Sequence, residues 1–308
     1  MRIALMGATG SIGQCLLRDH GDRHQFVVFT PKSHLGGFYR NENIEYVTVS
    51  ARTIEDAGGR NPYAEPGLLE RCSAAVALGF ARPEPGSVDT FERYLPSIAS
   101  TFAFLDACRT AGIGNIVLAS SRSVYGKHMP LPHREDEAAC PFSFYGAAKL
   151  AAEGVALASN SMWGAHVKVL RFAQIIGADE RQGVVAANLA AAQRGAPLQL
   201  WGQGDETARE YLYVRDAASA ILRALECRDV DGVFNIGTGI MTSTSDLLEC
   251  IAGVYEDVGV GIERHPEKQV EKVACCMDVS KARNVLGWKA EWALDEAIRA
   301  IRADLSAR

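Results

Sequence analysis

The amino-acid sequence predicts an α/β protein with a doubly wound parallel sheet. Short apolar runs alternate with helical stretches along most of the chain, which is typical of a parallel sheet covered by helices on both faces. The first apolar run leads directly into a glycine-rich turn, and that turn opens a helix. At 308 residues the chain is long enough for one large α/β domain or two smaller ones with a substantial core.

The strand candidates follow one another through most of the sequence. In order, they are RIALMG (2–7), FVVFT (26–30), IEYVTV (44–49), AAVALGF (74–80), NIVLAS (115–120), VKVLRF (167–172) and VFNIG (233–237). The first helix is predicted over SIGQCLLRDH (11–20), and GGRNPYAEPG (58–67) and ARPEPGS (81–87) are predicted loops. Ligands of open α/β sheets bind beyond the carboxyl ends of the strands, so Ala81, just after a strand, is predicted to border a cofactor.

The turn GATGSIG (7–13) spaces its three glycines as GxxGxxG. Gly7, Gly10 and Gly13 let the backbone turn tightly, let a pyrophosphate approach the helix amino terminus, and let the helix pack on the strand. The turn therefore predicts a dinucleotide-binding site. Thr9, Ser11 and Ile12 are further predicted contacts of this cofactor. The alternative interpretation is a tight βα turn without a ligand.

The end of the second strand bears on the choice of dinucleotide. A carboxylate at this point binds the ribose hydroxyls of NAD, but this chain has Thr30, Pro31 and Lys32. Because no acid repels a 2′-phosphate and Lys32 would attract one, NADP is favoured over NAD, with both left open. The alternative interpretation of Lys32 is a solvated loop lysine.

Tyr145 and Lys149 lie four residues apart in FYGAAKL (144–150), so they share one face of a helix. Ser121 lies at the end of the fifth strand candidate, in ASSRSVYG. A phenol titrates near pH 10, and both a neighbouring ammonium and an oxidised nicotinamide favour its phenolate form. Tyr145 is therefore predicted to remove a hydroxyl proton while hydride leaves the same carbon, with Ser121 holding the oxygen. The alternative interpretation is that the Tyr-x-x-x-Lys pair lies on a helix surface by chance. His128 and His133, in the loop between Ser121 and Tyr145, are expected to be solvated.

The composition argues against several classes of function. A net charge of −5 gives no nucleic-acid footprint, so no nucleic-acid partner is expected. Eight cysteines without a CxxC and seven histidines without ligand spacing predict no metal site and free thiols in a reducing cytoplasm. No charged and then apolar leader precedes Ile3, and no apolar run reaches the roughly 18 residues of a membrane span, so no membrane partner is expected.

Taken in order, these motifs resemble the extended short-chain dehydrogenase/reductase family, specifically its NAD(P)-dependent epimerase/dehydratase group, which acts largely on nucleotide sugars. The resemblance covers nearly the whole chain. It is carried by GATGSIG, SSRSVYG, YGAAKLAAE, VLRFAQIIG, GQGDETAREYLYVRDAASAI, FNIGTG and SKARNVLGW.

The resemblance implies two domains. A Rossmann-type cofactor domain would span residues 1–170, with the chain returning to it at about 209–236. A smaller, discontinuous carboxyl-terminal substrate domain would comprise residues 171–208 and 237–308. The catalytic residues that it implies are Ser121, Tyr145 and Lys149.

The resemblance also implies substrate contacts. Arg209 in TAREYLYV would bind substrate phosphates, a role that suits its bidentate geometry. The alternative is a surface arginine paired with Glu206 or Glu210. Ser123 and Gln174 are further predicted substrate contacts.

The chain departs from the family pattern at several positions. Ser121, Arg122 and Ser123 stand where dehydratases of the group carry Thr-Asp-Glu, so the acid that protonates a leaving hydroxyl is missing and sugar 4,6-dehydration is not expected. Gln174 replaces the usual asparagine after the sixth strand, and Ser97 replaces another. A substrate other than a common UDP-hexose therefore becomes plausible.

The predicted function is C4 epimerisation of a nucleotide sugar through a transient 4-keto sugar, which rotates before hydride returns to its other face. Net reduction of a keto sugar or related carbonyl substrate by NADPH would use the same residues and is an alternative. A dinucleotide-sensing protein without turnover is another. The resemblance implies a homodimer with the helices near residues 95–110 and 145–158 at its interface, and a cytoplasmic location is expected.

Overall fold

A seven-stranded parallel sheet forms the centre of this computed structural model, which describes residues 1–30, 39–49, 60–64, 67, 69–84, 88–126, 130–270 and 272–307. Its strands are β1 (Arg2–Met6), β2 (Gln25–Thr30), β3 (Ile44–Thr48), β4 (Ala74–Ala77), β5 (Asn115–Ser121), β6 (His166–Phe172) and β11 (Gly232–Ile236). The spatial order is β11-β6-β5-β4-β1-β2-β3, and each neighbouring pair is parallel. All seven strand candidates lie in this one sheet, so the predicted fold class is confirmed.

The chain reverses its direction of travel across the sheet beside β1. It runs from β1 to β2 and β3 on one side, and then resumes at β4 on the other side. The crevice between the carboxyl ends of β1 and β4 is the position at which doubly wound sheets bind ligands.

Helices cover both faces of the sheet. On one face lie α1 (Ser11–His20) and α5 (Val214–Glu226), and on the other lie α2 (Leu95–Thr110) and α3 (Phe144–Trp163). Strand side chains alternate between the two layers, since Leu5 belongs to the core of the first face and Met6 to that of the second. The apolar runs are continuous because both faces are buried.

The remaining elements follow β6 and β11. The strands are β7 (Gln174–Ile176), β8 (Leu198–Trp201), β9 (Thr207–Arg209), β10 (Tyr211–Tyr213), β12 (Thr242–Ser243), β13 (Ile262–His265) and β14 (Val273–Ala274). The helices are α4 (Gly183–Gln193), α6 (Thr244–Val254) and α7 (Leu294–Ser306), with a π-helical turn at Ala282–Leu286. Small sheets pair β7 with β10, β8 with β13, and β9 with β12 and β14. The proposed assignment of residues 171–208 and 237–308 to a substrate domain stays a prediction.

Two further observations concern possible partners. Among the described ranges, the helices are too short or too polar to cross a bilayer. The described residues also contain no group of three or more His, Cys, Asp or Glu side chains placed to hold a metal ion.

Candidate active site

The glycine turn between β1 and α1 packs directly against the end of β4. Gly7 has a φ of +90°, and a Cβ atom built on it would lie 2.1 Å from the backbone nitrogen of Gly79. A Cβ on Gly13 would lie 2.5 Å from the Cα of Ala8. Gly10 is different, because a Cβ there would meet only the Gly7 carbonyl oxygen at 4.0 Å. Two glycines are thus required by the fold, while the third leaves open space at the start of α1, which fits a dinucleotide pyrophosphate.

A cleft of about 680 Å³ opens at this edge of the sheet. The predicted site residues that line it are Gly7, Thr9, Gly10, Ser11, Ile12, Gly13, Ser121, Ser123, Tyr145, Lys149, Gln174 and Arg209. Residues distant in the chain therefore meet at the carboxyl ends of the strands.

A smaller recess of about 220 Å³ is lined by Thr30 and Ala81. Thr30 is 1% exposed, and its hydroxyl has no hydrogen-bond partner within the described part of the chain. The Ala81 N–H donates to the Ser97 hydroxyl at 2.9 Å, so the serine at the expected asparagine position holds the backbone after β4. The buried Thr30 hydroxyl fits a ligand hydroxyl such as that of a ribose. Lys32 lies outside the described residues.

The amino-terminal turn of α3 brings Tyr145 and Lys149 to the cleft. The Ser143 hydroxyl accepts the Gly146 N–H at 3.1 Å and caps the helix. A Cβ on Gly146 would lie 2.2 Å from the Ser123 carbonyl oxygen, so this glycine lets α3 approach the segment after β5.

Lys149 is fixed more firmly than a surface lysine. It is 4% exposed, its ammonium donates to the Ala119 carbonyl oxygen at 2.9 Å, and it lies 4.2 Å from the centre of the Phe80 ring. The same ammonium lies 5.9 Å from the centre of the Tyr145 ring. The predicted pair therefore shares one face of α3 at the cleft.

Burial shifts both groups of this pair toward their neutral forms. It lowers the pKa of Lys149 to about 7, with the nearby Arg82 acting in the same direction and Glu153 opposing. Burial also raises the pKa of Tyr145, whereas Arg82, the Ser121 hydroxyl and Arg122 lower it. The arginine charges that favour the phenolate were not anticipated from the sequence, which indicated Lys149.

Arg82 and Glu180 form an ion pair across the cleft. The guanidinium nitrogens of Arg82 lie 2.6 and 3.0 Å from the two carboxylate oxygens of Glu180, and the Ser11 hydroxyl donates to the same carboxylate. Arg82 follows β4 and Glu180 follows β7, so the pair links two loops above the start of α1. The only signal in the sequence was the position of Arg82 in the loop that follows the fourth strand candidate.

Ser121 ends β5 and caps a 3₁₀ turn over Arg122–Val124. Its hydroxyl accepts the Ser123 N–H at 3.2 Å, and the two serine hydroxyls are also 3.2 Å apart. Ser121, Arg122 and Ser123 all line the cleft, so a single turn presents two hydroxyls and a guanidinium to it.

Gln174 and Arg209 line the same cleft, and Gln174 follows β6, whose Phe172 pairs with Ser121 of β5. The Gln174 N–H donates to the Glu210 carbonyl oxygen at 3.1 Å, where β7 and β10 begin their parallel pairing. The Glu210 side chain is fully buried, and its carboxylate accepts the N–H groups of Gly239 and Met277 at 2.6 and 3.1 Å. Arg209 is thus brought to the cleft by a strand whose next residue anchors two loops.

The expectation of a solvated His133 is wrong. This residue is 3% exposed and stacks on Tyr125, with ring centres 4.7 Å apart. Its backbone N–H donates to the Cys276 carbonyl oxygen at 2.9 Å. His133 therefore packs the loop against the protein, and His128 lies outside the described residues.

Comparison with known proteins finds a matching family model and a similar protein of the same length. A family model described as the NAD dependent epimerase/dehydratase family matches residues 3–237. A UDP-glucose 4-epimerase of Mycolicibacterium smegmatis is 30% identical over 310 residues, which cover 97% of this chain and 96% of that relative.

Solved structures match over the whole length. The UDP-N-acetylglucosamine 4-epimerase from Bacillus cereus superposes with a TM-score of 0.83 at 27% identity and covers 99% of both chains. A structure of MoeE5 in complex with UDP-glucuronic acid and NAD gives a TM-score of 0.82 at 26% identity, covering 100% of this chain and 99% of that chain.

Proposed function

The chain belongs to the NAD dependent epimerase/dehydratase family, and from that premise we propose that it inverts C4 of a nucleotide sugar. The observation that carries the proposal is the meeting of the glycine turn with Ser121, Tyr145 and Lys149 in one cleft. Two of the similar proteins above are 4-epimerases of UDP-sugars.

Each side chain of the cleft is assigned a separate role in such a reaction. A bound nicotinamide supplies the reversible acceptance of hydride. Tyr145 takes the proton of the 4-hydroxyl and later returns one to the oxygen, and the Ser121 hydroxyl holds that oxygen. Lys149, bonded to the Ala119 carbonyl oxygen, orients the cofactor beside Tyr145. The positive charges of Arg82 and Arg122 lower the pKa of Tyr145 and so favour its phenolate form.

The form of the dinucleotide is part of the proposal. We favour NADP over NAD because β2 ends in the buried hydroxyl of Thr30 and not in a carboxylate that would repel a 2′-phosphate. Calorimetric titration with NADP⁺ and NAD⁺ measures this preference, and tighter binding of NAD⁺ would contradict it.

The remaining assignments are proposals of the same kind. Ser123, Gln174 and Arg209 would contact the substrate, with Arg209 directed at its phosphates. The protein would act as a cytoplasmic homodimer on a small-molecule substrate.

Product analysis tests the proposed reaction. In one set of reactions, the protein is incubated with UDP-, dTDP- or GDP-sugars and substoichiometric NAD(P)⁺. In a parallel set, it is incubated with keto sugars and excess NADPH. Proton NMR measures the sugars that form in each. Formation of more isomer than cofactor supports epimerisation, whereas product that forms only as NADPH is consumed would make the protein a ketoreductase.

The Tyr145→Phe variant tests the assignment of the base. Turnover is expected to fall by about 10²- to 10⁴-fold while cofactor affinity is kept. Unchanged turnover would remove Tyr145 from the mechanism. Absence of turnover in the wild-type protein across the whole panel would instead favour a substrate that is not a nucleotide sugar.

A further inference from the structure

The aromatic ring of Phe80 lies directly beside the Lys149 ammonium. Phe80 follows β4, where the close approach of Gly7 to Gly79 fixes the backbone next to the glycine turn. The Lys149 ammonium lies over the Phe80 ring, 4.2 Å from its centre, and the ring lines both the cleft and the smaller recess. A cation within about 6 Å of a ring centre is attracted to the negative face of the ring. The geometry is therefore that of a cation–π contact.

The other partners of Lys149 leave room for such a contribution. The side chain is 4% exposed, and within the described ranges its ammonium donates to a single acceptor, the Ala119 carbonyl oxygen at 2.9 Å, and forms no ion pair. One carbonyl oxygen satisfies one of the three N–H donors of an ammonium. Burial of an ammonium costs free energy unless nearby groups compensate its charge, so the face of Phe80 has a charge to stabilise.

Phe80 also contacts Tyr145. The two rings meet edge to face, with their centres 6.2 Å apart at an angle of 81°. Tyr94 is fully buried, stacks on Phe80 at 6.4 Å and meets the Tyr145 ring at 5.9 Å. This cluster of three rings fixes Phe80 by packing, so its face is held against Lys149 before any ligand binds.

The charged groups that act on Lys149 and Tyr145 lie on four separate segments of the chain: Arg82, Arg122, Glu153 and Glu180. Burial lowers the pKa of Lys149 most, Arg82 acts in the same direction, and Glu153 opposes both. Burial raises the pKa of Tyr145 most, the two arginines and the Ser121 hydroxyl lower it, and Glu180 raises it. Phe80 is uncharged, so it can favour the ammonium without adding a negative charge to the cleft.

We propose that Phe80 is a positioning residue of the reaction, whose ring holds Lys149 beside Tyr145 in its charged form. The inference rests on the proposed function, which assigns Lys149 to the cofactor and Tyr145 to proton transfer. A carboxylate at this position would also favour the ammonium, but it would repel the pyrophosphate that the glycine turn is expected to bind. An aromatic face attracts the cation without that repulsion.

The first test measures the charge of Lys149 without substrate or cofactor. Phe80 is replaced by phenylalanines of increasing fluorine content, which keep the shape of the ring and weaken the negative charge of its face. Each protein is paired with its Lys149→Met counterpart, and denaturant unfolding of both is measured from about pH 5 to pH 9.5. The difference in unfolding free energy within each pair reports the pH at which Lys149 gains its proton in the folded protein.

That pH is expected to fall by about 0.5–1 unit at high fluorine content and in Phe80→Leu, because the ring no longer attracts the ammonium. The stability that Lys149 contributes is lost as pH falls through its folded-state pKa, so this loss moves to lower pH. Phe80→Tyr keeps an aromatic face and should move the value by less than about 0.3 unit.

Phe104→Leu is the matched control for Phe80→Leu. Phe104 is a buried ring of α2 that packs on Phe29 and Tyr63, with centres 6.0 and 5.4 Å away. Its replacement removes the same number of atoms from a neighbouring part of the core. The pH at which Lys149 gains its proton should therefore stay unchanged, whatever the loss of total stability.

The second test measures turnover of the cofactor-loaded protein as a function of pH. In Phe80→Leu, the decline of kcat on the alkaline side should move to lower pH by the same amount, so that kcat within the decline falls about 3- to 10-fold. Phe80→Tyr should restore the wild-type profile. A ring that only fills space would instead lower kcat by one factor at every pH.

Several results would overturn the inference. One is the same protonation pH for Lys149 throughout the fluorinated series, and another is a shift in Phe80→Tyr as large as that in Phe80→Leu. A shifted protonation of Lys149 with an unmoved turnover profile would remove Phe80 from the reaction. If Phe80→Leu does not fold, the fluorinated proteins decide in both tests, because they keep the shape of the ring.

The inference and the proposed function can fail separately. Isomer formation by the wild-type protein, with the protonation of Lys149 unmoved by fluorination of Phe80, would overturn the role of Phe80 alone. A shifted protonation of Lys149 without turnover of any nucleotide sugar would overturn the proposed function alone.

Discussion

At the scale of single residues, Lys149 lies in surroundings that disfavour its charged form. It is 4% exposed, packs on the Phe80 ring and donates to one carbonyl oxygen. The four-residue spacing from Tyr145 could be read from the sequence, because helix geometry alone determines it. The lowered pKa could not, because it depends on burial by chain segments that are distant in sequence.

The Lys149→Met variant should show how this burial affects stability with pH. Burial lowers the folded-state pKa of Lys149 from 10.5 to about 7, so the unfolded chain binds more protons between those values. The free energy of unfolding contributed by Lys149 therefore rises with pH in that window and is lost as pH falls through about 7. The cofactor-free variant should be more stable than wild type at pH 7.

The measurement is denaturant unfolding of both cofactor-free proteins at pH 7, 8.5 and 9.5. The stability difference is expected to shrink by about 1 kcal/mol per pH unit. The buried Lys168 is present in both proteins, so its own titration cancels in the comparison. A difference that does not change with pH would contradict the lowered pKa.

At the scale of elements, the β1–α1 turn separates the glycines that the fold requires from the one that a ligand would require. Gly7→Ala should reduce the free energy of unfolding by about 2 kcal/mol or more, because it combines a positive φ with a clash against Gly79. Gly10→Ala should reduce it by about 1 kcal/mol or less, because its φ is −79° and the space around it is open.

For cofactor affinity, we expect the opposite ranking: among the folded proteins, Gly10→Ala should have the larger effect and Gly7→Ala the smaller one. Gly10→Ala should weaken dinucleotide binding about tenfold or more, since its new methyl group would occupy the approach of the pyrophosphate. Thermal unfolding and calorimetry separate the two effects. Unweakened binding by Gly10→Ala would show that the pyrophosphate lies elsewhere.

The ion pair between the loops after β4 and β7 leads to another prediction. Glu180 places a carboxylate at the Ser11 end of α1, where a pyrophosphate is also expected. Glu180→Gln should therefore strengthen cofactor binding about fivefold, because it removes a like charge and releases Arg82.

A matched control is Glu84→Gln, in the same cleft. Glu84 pairs with Arg93 and its side chain is 60% exposed, so its replacement should change cofactor affinity less than about twofold. Fluorescence titration with the dinucleotide measures both variants. Weaker binding by Glu180→Gln would instead mean that the ion pair holds Arg82 in a binding position.

At the scale of the whole molecule, a buried ion pair joins α3 to the sheet. Arg171 of β6 donates to the Glu153 carboxylate at 2.7 and 3.0 Å, and the Ser120 hydroxyl of β5 donates to it as well. The two charged side chains are 5% and 2% exposed. This network fixes the helix that carries Tyr145 and Lys149 against the strand that ends in Ser121.

The Glu153→Gln variant should lose about 3–5 kcal/mol of unfolding free energy, because Arg171 would keep a buried charge without its partner. Chemical denaturation measures the loss. Glu226→Gln is the control, since its pair with Arg223 is 45% and 54% exposed and should contribute less than about 1 kcal/mol. Equal losses of unfolding free energy in the two variants would show that the buried pair stabilises the fold no more than the exposed pair does.

The amino-acid sequence was enough to predict the fold class and the order of the seven strands along the chain, and it singled out the glycine turn and Ser121, Tyr145 and Lys149, which line one cleft. It also indicated the family, an enzyme and a nicotinamide cofactor, which the comparisons confirm. These features could be predicted because periodicity, glycine spacing and helix geometry are local properties.

The surroundings of those residues could not be predicted from the sequence. Folding places the Arg82–Glu180 pair over α1, buries His133 against Tyr125, and brings Arg122 to the cleft beside Ser121 and Ser123. Such contacts join loops that follow different strands, and their geometry depends on strand order and helix packing. Local sequence patterns do not specify which loops meet, so the charges around the cleft could be identified only from the folded structure.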